Sequence, residues 1–68
     1  MLKEIMISAA KKHAEAEIEL HKANIEVYMR QVVGIGEHSD IIETIQKELD
    51  KMAQANDRLE MLDKHFGE

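Results

Sequence analysis

The sequence lacks cysteine and proline, has only three glycines among its 68 residues, and contains one Tyr, one Phe and no Trp. The lack of cysteine excludes disulfide bonds and thiolate metal ligands, and it suits a reducing compartment. The lack of proline leaves long segments in which nothing interrupts a helix. The formal net charge of −5, with so few aromatic rings, disfavours nucleic-acid binding, because both a basic patch and stacking platforms are missing.

Long hydrophobic runs are also missing. The run at Ile5, Met6 and Ile7 is followed by Lys11 and Lys12, which predicts no signal peptide, and no run approaches the ~20 residues that span a bilayer. The acidic balance disfavours anionic membranes, so we expect a cytoplasmic protein. A chain of this length forms one domain at most and is marginal alone, which leaves a metal or self-association as candidate stabilisers.

The glycines divide the chain into two helical segments. Gly34 and Gly36 form its only cluster of helix breakers, and good helix formers dominate both sides of it. The pattern predicts a single all-α domain over residues 1–68, with a helix over 2–33, a turn over 34–39 and an antiparallel helix over 40–66. Asp40 is the expected cap of the second helix, with Glu43 as its capping-box partner and Ser39 as the competing cap.

The two predicted helices differ in their apolar surface. The second has one main stripe, as expected of an ordinary amphipathic helix, whereas the first has two stripes about a third of a turn apart. One partner helix cannot cover both, so we expect a homodimeric four-helix bundle, with a different partner protein as the alternative. The predicted core of the hairpin comprises Leu2, Met6, Ala9, Leu20, Val27, Ile45, Leu49, Met52, Leu59 and Phe66. The predicted oligomer interface comprises Ile7, Ala14, Ile18, Ile25, Tyr28, Met29 and Val32.

Three polar side chains, His13, Glu17 and His21, follow one line of the first helix at four-residue steps. If facing residue numbers sum to roughly 73, Glu17 lies opposite Asn56 and His21 lies near Met52. The favoured interpretation is a polar layer of Glu17 and Asn56, which fixes register and partner number at some cost in stability. The alternative is a metal-binding bundle with His13, Glu17 and His21 as ligands, although helix two offers no matching motif.

The sequence also resembles a known group of proteins. The segments HAE at residues 13–15, NIEVY at 24–28 and GIGEHSD at 34–40 are similar to small helical proteins of marine tailed bacteriophages, including cyanophages. The resemblance covers nearly the whole chain and implies a phage accessory protein in a bacterial cytosol, with no assigned activity.

No residue pattern indicates an enzyme. Ser8, Ser39 and Thr44 have no nucleophile context, and a thin hairpin has little room for a deep pocket. We therefore expect a non-enzymatic protein-interaction or scaffolding protein without a cofactor. Its expected partner is a second copy of itself or another protein, and neither a nucleic acid nor a membrane. A partner protein could bind the acidic second half, where residues 34–68 carry nine acids and four bases.

Overall fold

The computed structural model describes residues 1–31 and 39–67, which form two helices and no strand. Helix α1 spans Leu2–Gln31 and helix α2 spans Ser39–Phe66. The prediction of an all-α hairpin is confirmed. The last two residues of the predicted first helix lie outside the described residues, and so does the expected turn over 34–39 apart from Ser39. Ser39 belongs to α2. Asp40 therefore lies within the first turn of α2, where the positive end of the helix dipole stabilises its carboxylate.

Charges and a glycine mark the helix ends. Glu4 lies in the first turn of α1 and Arg30 in its last, and Lys64 and His65 lie in the last turn of α2. The charges of Glu4, Arg30 and Lys64 each have the sign that their end of the helix dipole favours. Gly67 follows α2 directly, and the backbone oxygen of Asp63 occupies the space where a Cβ atom on this glycine would lie. A residue without a Cβ is therefore required at the point where α2 ends.

The helices pack antiparallel along their length, in a hairpin that measures 54 × 15 × 13 Å. The Lys11 ammonium lies 2.9 Å from the Asp63 carboxylate near one end, and His21 bonds Glu48 farther along. The apolar core is small. Among the described residues only Ala14, Ile25 and Ala55 are buried hydrophobic side chains, and the alanines let the two helix backbones approach closely.

The assignment of the two stripes of α1 is reversed in the structure. Five residues predicted for the oligomer interface lie buried or half-buried on the face toward α2, namely Ile7, Ala14, Ile18, Ile25 and Tyr28. Five residues predicted for the hairpin core are exposed instead, namely Leu2, Met6, Ala9, Leu20 and Val27. The reason is that α1 turns toward α2 the face whose polar groups find partners there. The exposed stripe carries one polar residue, His13, whose ring lies against Glu17 of the same helix, whereas Glu48, Arg58 and Asp63 of α2 bond to the other face of α1.

The remaining residues of the predicted core and interface are partly buried and partly exposed. On α2, Ile45, Met52 and Leu59 are half-buried at the helix contact, whereas Leu49 and Phe66 are about half exposed and therefore do not form core. Met29 of α1 is also exposed, and Val32 lies outside the described residues. The hairpin core is therefore smaller than the sequence predicted.

Candidate interaction surface

A long apolar surface of α1 is exposed. It runs along α1 on the side turned away from α2, and we call it the outer seam. The outer seam consists of Leu2, Met6, Ala9, His13, Ala16, Leu20, Ala23 and Val27. Its four large apolar side chains are each more than half exposed, from 70% at Leu2 to 51% at Val27. An apolar patch that continues over most of a long helix is unusual on a soluble monomer and is typical of a binding surface.

The spacing of the outer seam is that of a coiled-coil contact. From Met6 onward its residues alternate between steps of three and four, which places them on one line of a gently supercoiled helix. Large and small residues also alternate, because Ala9, Ala16 and Ala23 recur every seven positions between the larger side chains. The helical periodicity of the sequence predicts this stripe, and the seven-residue repeat of its alanines is a further signal that the prediction did not use.

Shallow grooves accompany the outer seam near its start. One is lined by Ile5, Ser8, Ala9 and Lys12, together with groups of the first turn. A second lies between Leu2, Met6 and Phe66, where α2 ends beside the first turns of α1. Both are open depressions on the helix surface, so they suit a protruding side chain of another helix better than a small molecule, which binds in deeper sites.

The inner face of α1 carries a polar cluster in contact with α2. A ring nitrogen of His21 (Nδ1) bonds Glu48 Oε2, and the side-chain amide of Asn24 donates to Glu48 Oε1 at 3.2 Å. Burial alone raises the pKa of the Glu48 carboxyl, but the bonds from His21 and Asn24 and the nearby charges outweigh that effect. The pKa of Glu48 is therefore lowered. This cluster is the polar layer of the hairpin.

The predicted polar layer of Glu17 and Asn56 is wrong. Asn56 is exposed, and the half-buried Glu17 instead accepts a bond from Arg58 at 3.3 Å. Sequence reasoning missed Glu48, which lies on the same line of α2 as Ile41, Ala55 and Leu62 at seven-residue intervals. That spacing was the available signal, because two of those neighbours are half-buried and Ala55 is fully buried.

The line of His13, Glu17 and His21 does not form a shared site. His13 Nδ1 lies 2.9 Å from Glu17 Oε1 with its own side chain 76% exposed, whereas His21 turns toward Glu48. Within residues 1–31 and 39–67 no group of three or more His, Asp or Glu side chains is arranged to hold a metal ion. The geometry therefore gives the metal hypothesis no support, and each histidine is engaged by a different carboxylate.

The comparisons with known proteins identify no relative. No family model matches the sequence, and neither a curated protein nor a solved structure matches it. A membrane span was also sought in the described helices, and neither is long and apolar enough to cross a bilayer.

Proposed function

We propose that this chain is a non-enzymatic protein-interaction or scaffolding protein that works as a homodimer, in which two hairpins associate through their outer seams into a four-helix assembly. The observation that carries the proposal is the exposure of the outer seam. Leu2, Met6, Leu20 and Val27 are each more than half exposed, whereas only three hydrophobic side chains of the described residues are buried in the hairpin core. Covering the exposed apolar surface would therefore stabilise the molecule.

The small core supports the same proposal. No side chain in the described part of the chain is both large and fully buried, so the isolated hairpin has few packing interactions to hold two long helices together. Chains of this size without disulfides or metals are commonly stabilised by oligomerisation. A second hairpin would add to the core without changing the contact between α1 and α2.

The proposed dimer leaves a surface free for other proteins. The acidic residues of α2 and the side of α1 that carries Glu15 and Lys22 remain exposed when the outer seam is covered. A partner protein would bind there or near the chain segment between the helices. The resemblance to phage proteins favours a role as an accessory protein in a bacterial cytosol, where such a dimer would bring proteins together.

The test measures molar mass by light scattering over a hundredfold range of concentration. We expect the wild-type chain at twice its 7.8 kDa mass, and we expect Leu20→Glu to shift it to the monomer. The carboxylate would have to be buried in the contact in both copies, so the Kd should rise at least about a hundredfold. A monomeric wild-type chain at every concentration would contradict the proposal.

Met29→Glu is the matched control. Met29 is 57% exposed and Leu20 is 56% exposed, both lie on α1, and both variants add one negative charge. The two residues are nine positions apart, which is two and a half turns, so they lie on opposite sides of the helix. Met29→Glu should remain dimeric. Equal dissociation of both variants would show that added charge, and not the outer seam, controls association.

A further inference from the structure

We infer that the second copy binds antiparallel, with Leu20 of the partner subunit packed against Ala9, and that Lys12 and Glu19 select this register. The inference depends on the proposed dimer and adds the orientation and pairing of its two α1 helices. In this register the twofold axis passes between residues 14 and 15. Every contact therefore occurs twice, because each chain offers the same surface.

Side-chain size favours the antiparallel arrangement. Facing positions in a well-packed helix pair combine a large residue with a small one, which lets the side chains interdigitate. In the proposed register the facing pairs of the outer seam are Leu2 with Val27, Met6 with Ala23, Ala9 with Leu20, and His13 with Ala16. The last three combine a large residue with alanine, and the outermost pair combines two large residues. A parallel pair would instead stack alanine on alanine and large residue on large residue, which leaves gaps at one layer and crowding at the next.

A groove beside Ala9 lies where this register requires one. It is lined by Ile5, Ser8, Ala9 and Lys12, together with Met1 and Glu4, and two of these residues, Ser8 and Ala9, are small. A leucine from a facing helix fills such a depression in the manner of a knob in a hole. Leu20 of the partner subunit reaches this position when the helices are antiparallel and centred between residues 14 and 15.

Charge complementarity selects this register over its neighbours. Lys12 and Glu19 lie on the same edge of the outer seam, both are exposed, and neither forms an ion pair within the described residues. In the proposed register Lys12 faces Glu19 of the partner subunit, and the reciprocal pair forms by symmetry. A shift of one heptad in one direction places Lys12 against Lys12, and these like charges disfavour it. A shift in the other direction places Glu19 against Glu19 while Lys12 faces Glu26, and it also pairs Met6 with Arg30 in place of Ala23, so that an apolar layer of the seam is lost.

The arrangement has a consequence for the scaffold. The C-terminal ends of the two α1 helices lie at opposite ends of the dimer, about 50 Å apart along the axis at 1.5 Å per residue. Any protein that binds near these ends is therefore presented twice, in opposite directions. A parallel dimer would place both copies of such a protein side by side.

The test uses two single charge reversals and their mixture. Lys12→Glu places Glu against Glu19, and Glu19→Lys places Lys against Lys12, so each variant replaces two attractive pairs by two repulsive ones. We expect the homodimer Kd of each variant to rise about tenfold. An equimolar mixture should form a heterodimer with near wild-type affinity, because both facing pairs are then of opposite sign. Analytical ultracentrifugation measures the Kd values, and circular dichroism confirms that each variant is helical.

Lys22→Glu and Glu15→Lys are matched controls, since they make the same charge changes at exposed positions away from the outer seam. Their homodimers and their mixture should have the wild-type Kd. If the wild-type chain dimerises but the mixture of Lys12→Glu and Glu19→Lys binds no more tightly than either variant alone, the antiparallel register is overturned and the proposed function stands. If the wild-type chain is monomeric, the proposed function itself fails.

A distance measurement provides a second readout that no charge effect can mimic. The chain has no cysteine, so Met29→Cys accepts a single spin label on an exposed site opposite the outer seam. The antiparallel register predicts labels at least about 40 Å apart along the dimer axis, from 1.5 Å per residue. A parallel dimer places the two labels at the same height along the dimer axis. Labels without an axial offset would therefore overturn the antiparallel register.

Discussion

The two faces of α1 differ in polarity and in burial, and the face with more polar residues is the one that is buried. The inner face, which packs on α2, places Lys11, Glu17, His21 and Asn24 among its apolar residues, and all four are half-buried. The outer seam has His13 as its only polar member, and that seam is open to water. The face that is less apolar is therefore the one that the hairpin covers. This comparison shows that hydrophobicity alone does not decide which face of a helix meets its neighbour within one chain.

The partners available on α2 explain the difference. Glu48 accepts bonds from His21 and Asn24, Arg58 donates to Glu17, and Asp63 pairs with Lys11. Among the described residues no buried side-chain polar atom lacks a hydrogen-bond partner. A polar group that is satisfied in this way costs little to bury, and it fixes the register of the two helices. The outer seam offers α2 no such contacts, so it stays available for intermolecular packing.

The largest effect should follow from breaking the inner contact at Ala55. This residue has no exposed surface and lies where α1 and α2 approach each other, so Ala55→Leu adds three carbons where no space exists. We expect the free energy of unfolding to fall by about 1–3 kcal/mol, as for other overpacked contacts. Thermal and urea denaturation followed by circular dichroism measures the loss.

Ala53→Leu is the control for that prediction. Ala53 lies two residues earlier on α2 and is exposed, so the same substitution should change the free energy of unfolding by less than about 0.5 kcal/mol. Equal free energies of unfolding for Ala55→Leu and Ala53→Leu would contradict the close approach of the two helices at Ala55. The inner face of α2 would then be no more tightly packed at this position than its exposed face.

A smaller effect should come from the polar layer, and it depends on pH. The pKa of Glu48 is lower in the folded chain than its ordinary value of 4.5, so the folded state favours the ionised carboxylate. This contribution to stability is fully present above about pH 4.5 and is lost as the pH falls through the lowered pKa of Glu48. The thermal midpoint should therefore fall more steeply between pH 5 and 3 for the wild-type chain than for Glu48→Gln, which does not titrate.

Glu43→Gln separates this effect from the general response to acid. Glu43 is exposed on the same helix, and its replacement removes the same charge without changing the inner face. Its thermal midpoint should follow the wild-type dependence on pH. If the thermal midpoint of Glu48→Gln fell with pH as steeply as that of the wild-type chain, protonation of Glu48 would not contribute to the loss of stability in acid.

The sequence predicted much of this architecture but assigned its surfaces wrongly. Composition and the glycine pair predicted two helices, and periodicity predicted that α1 has two apolar faces. The choice between those faces depended on Glu48, because it lies in line with Ile41, Ala55 and Leu62 and brings a carboxylate to His21. A periodicity analysis treats that carboxylate as a break in an apolar line. Only the three-dimensional arrangement shows that partners on α1 satisfy it.

The smallest expected effect concerns Asn56, which the sequence placed in the polar layer. A lone asparagine at a buried helix contact controls register and partner number, so its replacement would change the oligomeric state. In the structure Asn56 is exposed and takes no part in the contact with Glu17, which Arg58 supplies instead. Asn56→Ala should therefore leave the molar mass unchanged and alter the free energy of unfolding by less than about 0.5 kcal/mol. Light scattering measures the molar mass, and denaturation measures the free energy of unfolding. A changed molar mass would show that Asn56 lies in an oligomer interface, contrary to its exposed position on α2.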